Sequence, residues 1–228
     1  MTNGTKRLKT GLLLFPGFLP LDAVGPYEVL ARAPELDVRL IAKTKGAVQS
    51  ELGLALIAEE DFSSAPDLDI LCVPGGKGIV EAAADGATLD FLKRQGAQAR
   101  YVTSVCTGSL LIGAAGLLRG YRATTHWLSI GLLPLVGALP VNERVVKDRN
   151  RITSAGVTAG IDLALTLVGE VAGTREGAAI ELMLQYDPAP PFKSGDPATA
   201  EPALVQEIAA ARAALQDKRR AFFAKLAS

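Results

Sequence analysis

The chain has 228 residues, of which 49% are hydrophobic, and its 24 basic residues balance its 24 acidic ones. That length and composition allow a sizeable buried core and exclude extended disorder. The balanced charge gives no bias towards nucleic acid or an anionic membrane, and no apolar run is long enough to cross a bilayer. Two cysteines and one histidine exclude a disulfide framework and, at their spacing, a metal site. We expect one domain over residues 1–228.

The N-terminal segment 1–10 is polar and basic, and the apolar run after it covers only residues 12–15. That run is too short for the apolar region of a secretory signal peptide. The sequence therefore predicts a cytoplasmic protein.

Five short apolar segments have the length of strands that are buried on both faces. They cover residues 10–17, 37–42, 68–76, 101–106 and 151–156. Helical patterns follow the first, third, fourth and fifth of these segments. Such alternation predicts a mostly parallel sheet with helices on both faces, and so an α/β fold. Residues 47–61 lack a helical period and are consistent with a hairpin at the sheet edge.

The last part of the chain has a different composition. Residues 186–202 are rich in proline and predict a loop. A final helix follows, with an apolar stripe that suggests an amphipathic face. The stripe consists of Leu204, Ile208, Ala211, Leu215 and Phe222. We expect a core over about 9–184, a loop and C-terminal helix over 185–228, and a helix that covers the domain or a partner subunit.

Cys106 lies at the junction between the predicted strand 101–105 and the next helix. Ligands of parallel α/β sheets bind beyond the carboxyl ends of the strands. Free N–H groups at the start of the helix, together with its dipole, favour a thiolate and predict a lowered pKa for Cys106. Position alone is equally consistent with a nucleophile and with a small residue filling a crowded corner. Cys72, inside the run DILCV, is interpreted as a core thiol.

Other strand ends supply groups that could meet this thiol. Gly75 and Gly76 end the third strand, and their N–H groups, with that of Thr107, are candidate donors to developing negative charge. The alternative for the two glycines is an ordinary turn. The last strand ends before Val157, which would form another wall of the same crevice.

Asp22 is a lone acid in the apolar segment after the first strand. It is either a helix N-cap or a carboxyl that reaches the crevice. Burial beside a thiolate would raise its pKa and allow proton donation near neutral pH. For His126, the single histidine, a structural role is favoured over a catalytic one.

Four segments resemble the ThiJ/PfpI superfamily and occur in its order over most of residues 9–184. They read FPGFLPLDAVGPYEV, DILCVPGG, SVCTGSLLIGAAGLLRGYRATTHW and RITSAGVTAGIDLAL. The resemblance implies a flavodoxin-like sandwich, usually homodimeric, with a cysteine at a strained strand-to-helix elbow. It implies that Cys106 is the nucleophile, that the Val157 backbone faces it, and that Thr107 positions the thiol or a water.

The residues around the cysteine distinguish activities within the superfamily. Thr107 stands where PfpI-type peptidases carry histidine, and the His-x-Glu of glutamine amidotransferases is absent after the last core strand. Asp22 stands where glyoxalase- and deglycase-like members carry glutamate. Asp22, the CTG of the elbow and the stretch QYDPAPPF resemble the isocyanide hydratases. The segments LDAVGPYEV and GLLRGYRATTHW also resemble the sensor half of AraC-type regulators, but no helix-turn-helix pattern follows.

The resemblance thus implies that an organic isocyanide, R–N≡C, is hydrated to an N-substituted formamide through a thioimidate on Cys106. Asp22 would act as acid and base, no cofactor would be needed, and the pocket would be mainly apolar. Two alternatives stay open: glyoxalase- or deglycase-like action on reactive carbonyls, and a non-enzymatic redox sensor that uses Cys106. The expected partners are a small-molecule isocyanide and a second copy of the chain, with no nucleic acid and no membrane.

Overall fold

A seven-stranded sheet forms the centre of the protein in a computed structural model that describes residues 7–227. The first six residues of the polar N-terminal segment, on which the cytoplasmic expectation partly rests, lie outside the described residues. The strands are β1 (Leu8–Leu13), β2 (Leu36–Ala42), β3 (Gly46–Gln49), β4 (Ala55–Ala58), β5 (Glu60–Asp61), β6 (Ile70–Val73), β7 (Tyr101–Val105), β8 (Arg122–Ala123), β9 (Leu139–Pro140), β10 (Val145–Asp148) and β11 (Arg151–Ser154).

Seven α-helices and one 3₁₀ helix connect and cover these strands within the described part of the chain. They are α1 (Pro20–Leu30), α2 (Ile79–Ala84), α3 (Gly86–Gln98), α4 (Gly108–Ala114), the 3₁₀ helix Trp127–Val136, α5 (Ala159–Ala172), α6 (Thr174–Met183) and α7 (Pro202–Ala227). Between residues 7 and 227, no helix is both long and apolar enough to cross a membrane.

The strand order of the main sheet is β10-β11-β7-β6-β1-β2-β5. All neighbours pair in parallel except β10 and β11, which are antiparallel. The chain moves from β1 outwards to β2 and later returns to β6 on the other side of β1. This is the flavodoxin-like order, and its switch point lies between β1 and β6, where ligands of such sheets bind. The predicted flavodoxin-like α/β class is confirmed.

Helices cover both faces of the sheet, as predicted. On one face, Leu30 of α1 and Leu163 of α5 pack against Ile70 of the sheet. On the other face, Phe91 of α3 and Phe223 of α7 belong to a larger apolar cluster that also includes α4. Each fully buried side chain of this size contributes about 1.5–3 kcal/mol. Strands β6 and β11 are buried at every residue. Burial on both faces explains why the sequence of β6 lacks the alternation of polar and apolar residues that a half-exposed strand shows.

All five predicted strands are present, and all but β2 end earlier than the corresponding apolar segments do. The predicted hairpin is also present as β3 and β4, but it forms a separate two-stranded sheet. The edge strand of the seven-stranded sheet on this side is β5. The sequence reasoning missed β10, α2, α6 and the 3₁₀ helix. Strand β10 has the half-polar sequence VVKD, and α2 has only six residues, so neither shows a full period.

The final helix is confirmed as α7, but only its second half is firmly packed. Phe223 is fully buried, whereas Leu204 and Ile208 of the predicted stripe are exposed. The helix packs mainly on the 3₁₀ helix and touches α2. It therefore lies on the side of the sheet where the strand-end crevice opens.

Candidate active site

Cys106 occupies a strained turn between β7 and α4. Its φ is 54°, in the left-handed region that non-glycine residues rarely adopt, at a cost of about 1–2 kcal/mol. Its N–H donates to the carbonyls of Ser154 and Ala155 at 3.1 and 3.0 Å. Its own carbonyl accepts hydrogen bonds from the hydroxyls of Ser109 and Thr125 at 3.1 and 2.8 Å. These bonds hold the backbone in a conformation it would otherwise leave.

Gly108 allows this turn to lie directly on the neighbouring strand end. A Cβ at this position would come within 2.2 Å of the Val73 carbonyl oxygen. The backbone after Cys106 can therefore approach β6 only because residue 108 has no side chain.

Asp22 reaches the same point from α1. The carboxyl is fully buried, and its Oδ2 accepts the N–H of Gly75 at 2.9 Å. Its Oδ1 has no hydrogen-bond partner among the described residues, and the Cys106 thiol lies close enough to the carboxyl to lower its pKa. The helix N-cap is Leu19, with no side-chain capping bond. The N-cap interpretation of Asp22 is therefore wrong.

Gly75 and Gly76 support this arrangement. A Cβ on Gly75 would lie 2.8 Å from Asp22 Oδ2 and 2.7 Å from Thr107 Oγ1, so no side chain fits there. Gly76 has a φ of 139°, and its N–H donates to Thr107 Oγ1 at 3.2 Å. Both N–H groups already have acceptors within the protein. The expected role as free oxyanion donors therefore does not fit, and the glycines instead hold Asp22 and Thr107.

Two other backbone donors reach the sulfur of Cys106, namely the N–H groups of Thr107 and Val157. Burial raises the pKa of the Cys106 thiol well above its usual range, and the negative charge of Asp22 raises it further. The two N–H groups and the charge of Arg219 act in the opposite direction. The expectation of a lowered thiol pKa is wrong, because desolvation outweighs the dipole of a helix only seven residues long.

The pKa of Asp22 is raised to about 7, mainly by burial, while the hydrogen bond from the Gly75 N–H and the nearby Cys106 thiol lower it in part. This carboxyl can therefore exchange a proton near neutral pH, as the sequence reasoning anticipated. The carboxyl and the thiol interact directly, so they titrate as a coupled pair.

A cavity of about 200 Å³ opens above the thiol. Its inner wall contains Cys106, Thr107 and Val157, which the sequence reasoning had brought together. The larger part of its surface is apolar, in agreement with the expected mainly apolar pocket, although charged side chains also line it. Further lining residues are Leu19, Glu51, Lys77, Leu128, Arg212, Leu215, Gln216 and Arg219.

The sequence reasoning missed the contribution of α7 to this cavity. Arg212, Leu215, Gln216 and Arg219 all line it, at the spacing i, i+3, i+4 and i+7 of one helix face. That spacing was visible in the sequence. The side of the sheet against which the face would dock was not.

His126 also lines the cavity, but it forms no hydrogen bond with Cys106 among the described residues. Its Nδ1 accepts the N–H of Leu128 at 3.3 Å, so it caps the 3₁₀ helix. Burial, and then the charges of Arg219 and Arg212, lower its pKa to about 4. A neutral, capping histidine agrees with the structural role that was favoured.

Cys72 lies fully buried within β6, and burial raises its pKa to about 11. Its interpretation as a core thiol is confirmed. Over residues 7–227, no three His, Cys, Asp or Glu side chains are grouped so that they could hold a metal ion.

The fold and this arrangement match a known protein family. Residues 9–170 match the model of the DJ-1/PfpI family, and the chain belongs to that family. An isonitrile hydratase of Pseudomonas putida is 54% identical over 200 residues, which cover 88% of each chain. The crystal structure of a ThiJ/PfpI family protein from Pseudomonas syringae aligns with a TM-score of 0.94 at 40% identity, over 96% of this chain and 91% of that one.

A second group of relatives consists of transcriptional regulators. The HTH-type transcriptional regulator GbdR of Pseudomonas aeruginosa is 31% identical over 185 residues. The match covers 78% of this chain but only 50% of the regulator. The similarity to this regulator therefore covers only half of the regulator's length.

Proposed function

We propose that this protein is an isocyanide hydratase, which adds water to an organic isocyanide (isonitrile) and releases an N-substituted formamide. The observation that carries the proposal is the buried carboxyl of Asp22 beside the Cys106 thiol, which lines a small cavity. The Pseudomonas putida isonitrile hydratase, similar over 88% of both chains, supports the same activity. The reaction needs no cofactor.

In the first step, the sulfur of Cys106 bonds to the terminal carbon of the isocyanide. That carbon also accepts a proton, so the thiol adds as a whole across one carbon and gives a thioimidate, S–CH=N–R. Asp22 takes the thiol proton and passes it to the carbon. A carboxyl with a pKa of about 7 suits both transfers near neutral pH. The N–H groups of Thr107 and Val157 stabilise the sulfur as it loses its proton.

In the second step, water adds to the carbon of the thioimidate. Asp22 accepts a proton from this water, and the nitrogen of the substrate receives a proton in turn. The carbon–sulfur bond then breaks, the thiol of Cys106 recovers its proton, and the formamide R–NH–CHO leaves. The Thr107 hydroxyl, which the Gly76 N–H holds at 3.2 Å, is placed to orient this water.

Isotope-labelled turnover provides the test. The protein is incubated with cyclohexyl isocyanide in D₂O and in H₂¹⁸O, and the product is analysed by NMR and mass spectrometry. We expect deuterium on the formyl carbon and ¹⁸O in the formyl group. Absence of formamide would overturn the proposal, and consumption of methylglyoxal in its place would favour the glyoxalase-like alternative.

A covalent adduct can be sought by rapid quenching and intact mass spectrometry. We expect a mass increase equal to one whole isocyanide, on the peptide that contains Cys106. The variant Cys106→Ala serves as the matched control, because it keeps the fold but has no sulfur to modify. An adduct on any other residue would contradict the thioimidate mechanism.

We further propose that the protein is a cytoplasmic homodimer. Six large apolar side chains are between 37% and 73% exposed on α1 and on the hairpin β3–β4, namely Leu21, Val24, Tyr27, Leu52, Leu54 and Ile57. Hydrogen bonds tie the hairpin to the segment that leads into α1, for example from the Gly17 N–H to the Gln49 carbonyl. A second copy could cover this patch. A free nucleophilic thiol suits a compartment that keeps cysteines reduced.

Light scattering after size-exclusion chromatography tests the dimer. We expect a dimer for the native chain and a monomer for Val24→Asp, since a charge on an apolar interface opposes association. The matched control is Leu182→Asp, at an exposed leucine of α6. A native monomer, or equal effects of the two substitutions, would contradict this interface.

A further inference from the structure

Arg219 is a buried cation that reaches the active site from the C-terminal helix. Its side chain lies on the inner half of α7, and the residue is only 5% exposed. It lines the same cavity as Cys106. Helix α7 lies outside residues 9–170, the part that matches the family model. The role of Arg219 is thus not given by the segment that defines the family.

The guanidinium is anchored at the turn that holds the catalytic groups. Its Nη2 donates to the carbonyl of Gly76 at 2.9 Å. Its Nη1 lies 3.5 Å from the hydroxyl of Ser129, which in turn donates to Gln216 at 3.0 Å. The Nε of Arg219 is buried and has no hydrogen-bond partner. The side chain is therefore held in place, although its donors are only partly satisfied.

The hydrogen bond to Gly76 connects Arg219 with both candidate catalytic side chains. The N–H of Gly76 holds Thr107 Oγ1, and the N–H of the preceding Gly75 holds Asp22 Oδ2. The Gly76 carbonyl points the other way, to Arg219. If this carbonyl lost its partner, the adjoining peptides could rotate, and the donors to Asp22 and Thr107 would rotate with them.

The charge of Arg219 has no carboxylate partner at ion-pair distance among the described residues. Burying a cation without a counter-charge is costly, so a negative charge nearby must offset it. The charged and titratable groups that face the cavity come from several elements. They are Glu51 of the hairpin, Lys77 before α2, Cys106, His126, and Arg212 of α7. Asp22 of α1 lies buried beside Cys106 and does not line the cavity.

We infer that Arg219 is a positioning residue of this active site, which fixes the Gly75–Gly76 turn and stabilises negative charge on the Cys106 sulfur. The kinetic part of this inference depends on the proposed function. The electrostatic part does not, because the reactivity of the thiol can be measured without any isocyanide.

The test compares Arg219→Met, Arg219→Lys and the control Arg220→Met, at an exposed neighbour on the same helix. The rate of alkylation of Cys106 by iodoacetamide is followed against pH by peptide mass spectrometry, which separates it from Cys72. In Arg219→Met we expect the alkylation rate at each pH to fall about tenfold, since a nearby cation favours the thiolate. Arg219→Lys keeps the charge and should restore most of this rate, and Arg220→Met should match the native chain.

Kinetics with an alkyl isocyanide form the second measurement. In Arg219→Met we expect kcat/KM to fall about 10- to 100-fold, mostly through kcat, because the carbonyl of Gly76 loses a buried partner. Combining Arg219→Met with Thr107→Val should cost less than the product of the two single effects, since both act through Gly76.

An unchanged alkylation rate of Cys106 in Arg219→Met would overturn the inference, whatever happens to its melting temperature. So would an Arg219→Lys variant as strongly slowed as Arg219→Met. If Arg219→Met does not fold, Arg219→Gln, which keeps a donor for Gly76 but carries no charge, provides the same test. If the native chain fails to hydrate isocyanides while the alkylation rate still responds to Arg219, the function is wrong and the electrostatic role of Arg219 stands.

Discussion

The two cysteines lie within one strand and directly after its neighbour, and both are buried. Cys72 is inside β6, where it pairs with Thr103 of β7, and Cys106 directly follows Val105, the last residue of β7. Burial raises the pKa of both thiols. Depth alone therefore does not distinguish a structural thiol from a nucleophile. The difference lies in the backbone conformation and in the groups that each sulfur faces.

Cys72 has regular strand geometry and belongs to the apolar cluster of the core. Cys106 has a φ of 54°, opens onto a cavity, and contacts a carboxyl that can exchange a proton. The resting thiol of Cys106 is not activated by a low pKa. In the proposed mechanism its reactivity comes from Asp22, which takes the thiol proton at the moment when the sulfur attacks.

The largest expected difference between the two cysteines is in turnover after each sulfur is removed in turn. Cys106→Ala should lower isocyanide turnover about 10⁴-fold or more, because the covalent step is lost. Cys72→Ala should stay within about threefold of the native rate, because that sulfur touches no reacting group. Steady-state kinetics on folded protein decides the matter, and comparable losses at both positions would refute the assignment of the nucleophile.

Asp22→Asn comes next in size. It keeps the shape of the side chain and an acceptor for the Gly75 N–H, but it cannot exchange a proton. We expect turnover to fall about 10²–10⁴-fold. The isosteric control Asn150→Asp, in the β10–β11 turn, adds a carboxyl away from the cavity and should leave the rate unchanged. Near-native turnover by Asp22→Asn would remove the carboxyl from the mechanism.

The buried carboxyl also predicts a pH-dependent stability. The pKa of Asp22 is about 7 in the folded protein, against 3.8 when exposed. Between these values the folded state binds more protons than the unfolded state, so its free energy of unfolding falls as pH rises. Asp22→Asn removes this loss and should be more stable than the native chain above pH 7, by up to about 4 kcal/mol.

Urea unfolding at pH 5, 6, 7 and 8 measures this effect. As pH rises through this range, the free energy of unfolding of Asp22→Asn should increase relative to that of the native chain, and the difference should level off above pH 7. Cys72→Ala removes a thiol that stays protonated throughout this pH range, so this variant should show a constant difference from the native chain. A constant difference for Asp22→Asn would mean that the carboxyl is not buried as described.

Much of this site could be predicted from the sequence because strand ends share one edge of a parallel sheet. That rule brought Gly75, Cys106, Thr107 and Val157 together without any contact information. It left Asp22 open between a helix N-cap and the crevice, and only the resemblance favoured the crevice. The rule could not give the depth of burial, and the predicted direction of the pKa shift of Cys106 was therefore wrong. It also assigned the N–H groups of the glycines to a substrate, since the pattern does not show which acceptors the protein already supplies.

Arg219 shows a different limit. It contacts Gly76 across 143 residues of sequence, and nothing in the strand pattern fixes where the last helix docks. Its helical spacing with Arg212 and Leu215 is periodic, but the apolar stripe suggested burial of Leu204 and Ile208, which are exposed. Side-chain packing at the inner end of α7, rather than the apolar pattern, decides which residues reach the site.

The smallest effect is also the cleanest test of the two backbone conformations. At Cys106, glycine should be more stable than alanine by about 0.5–1 kcal/mol, because it relieves the cost of a positive φ. At Cys72 the order should reverse by a similar amount, because glycine weakens a strand interior. Urea unfolding of Cys106→Gly, Cys106→Ala, Cys72→Gly and Cys72→Ala measures both differences. The same sign at both positions would show that the strain assigned to the turn after β7 is absent.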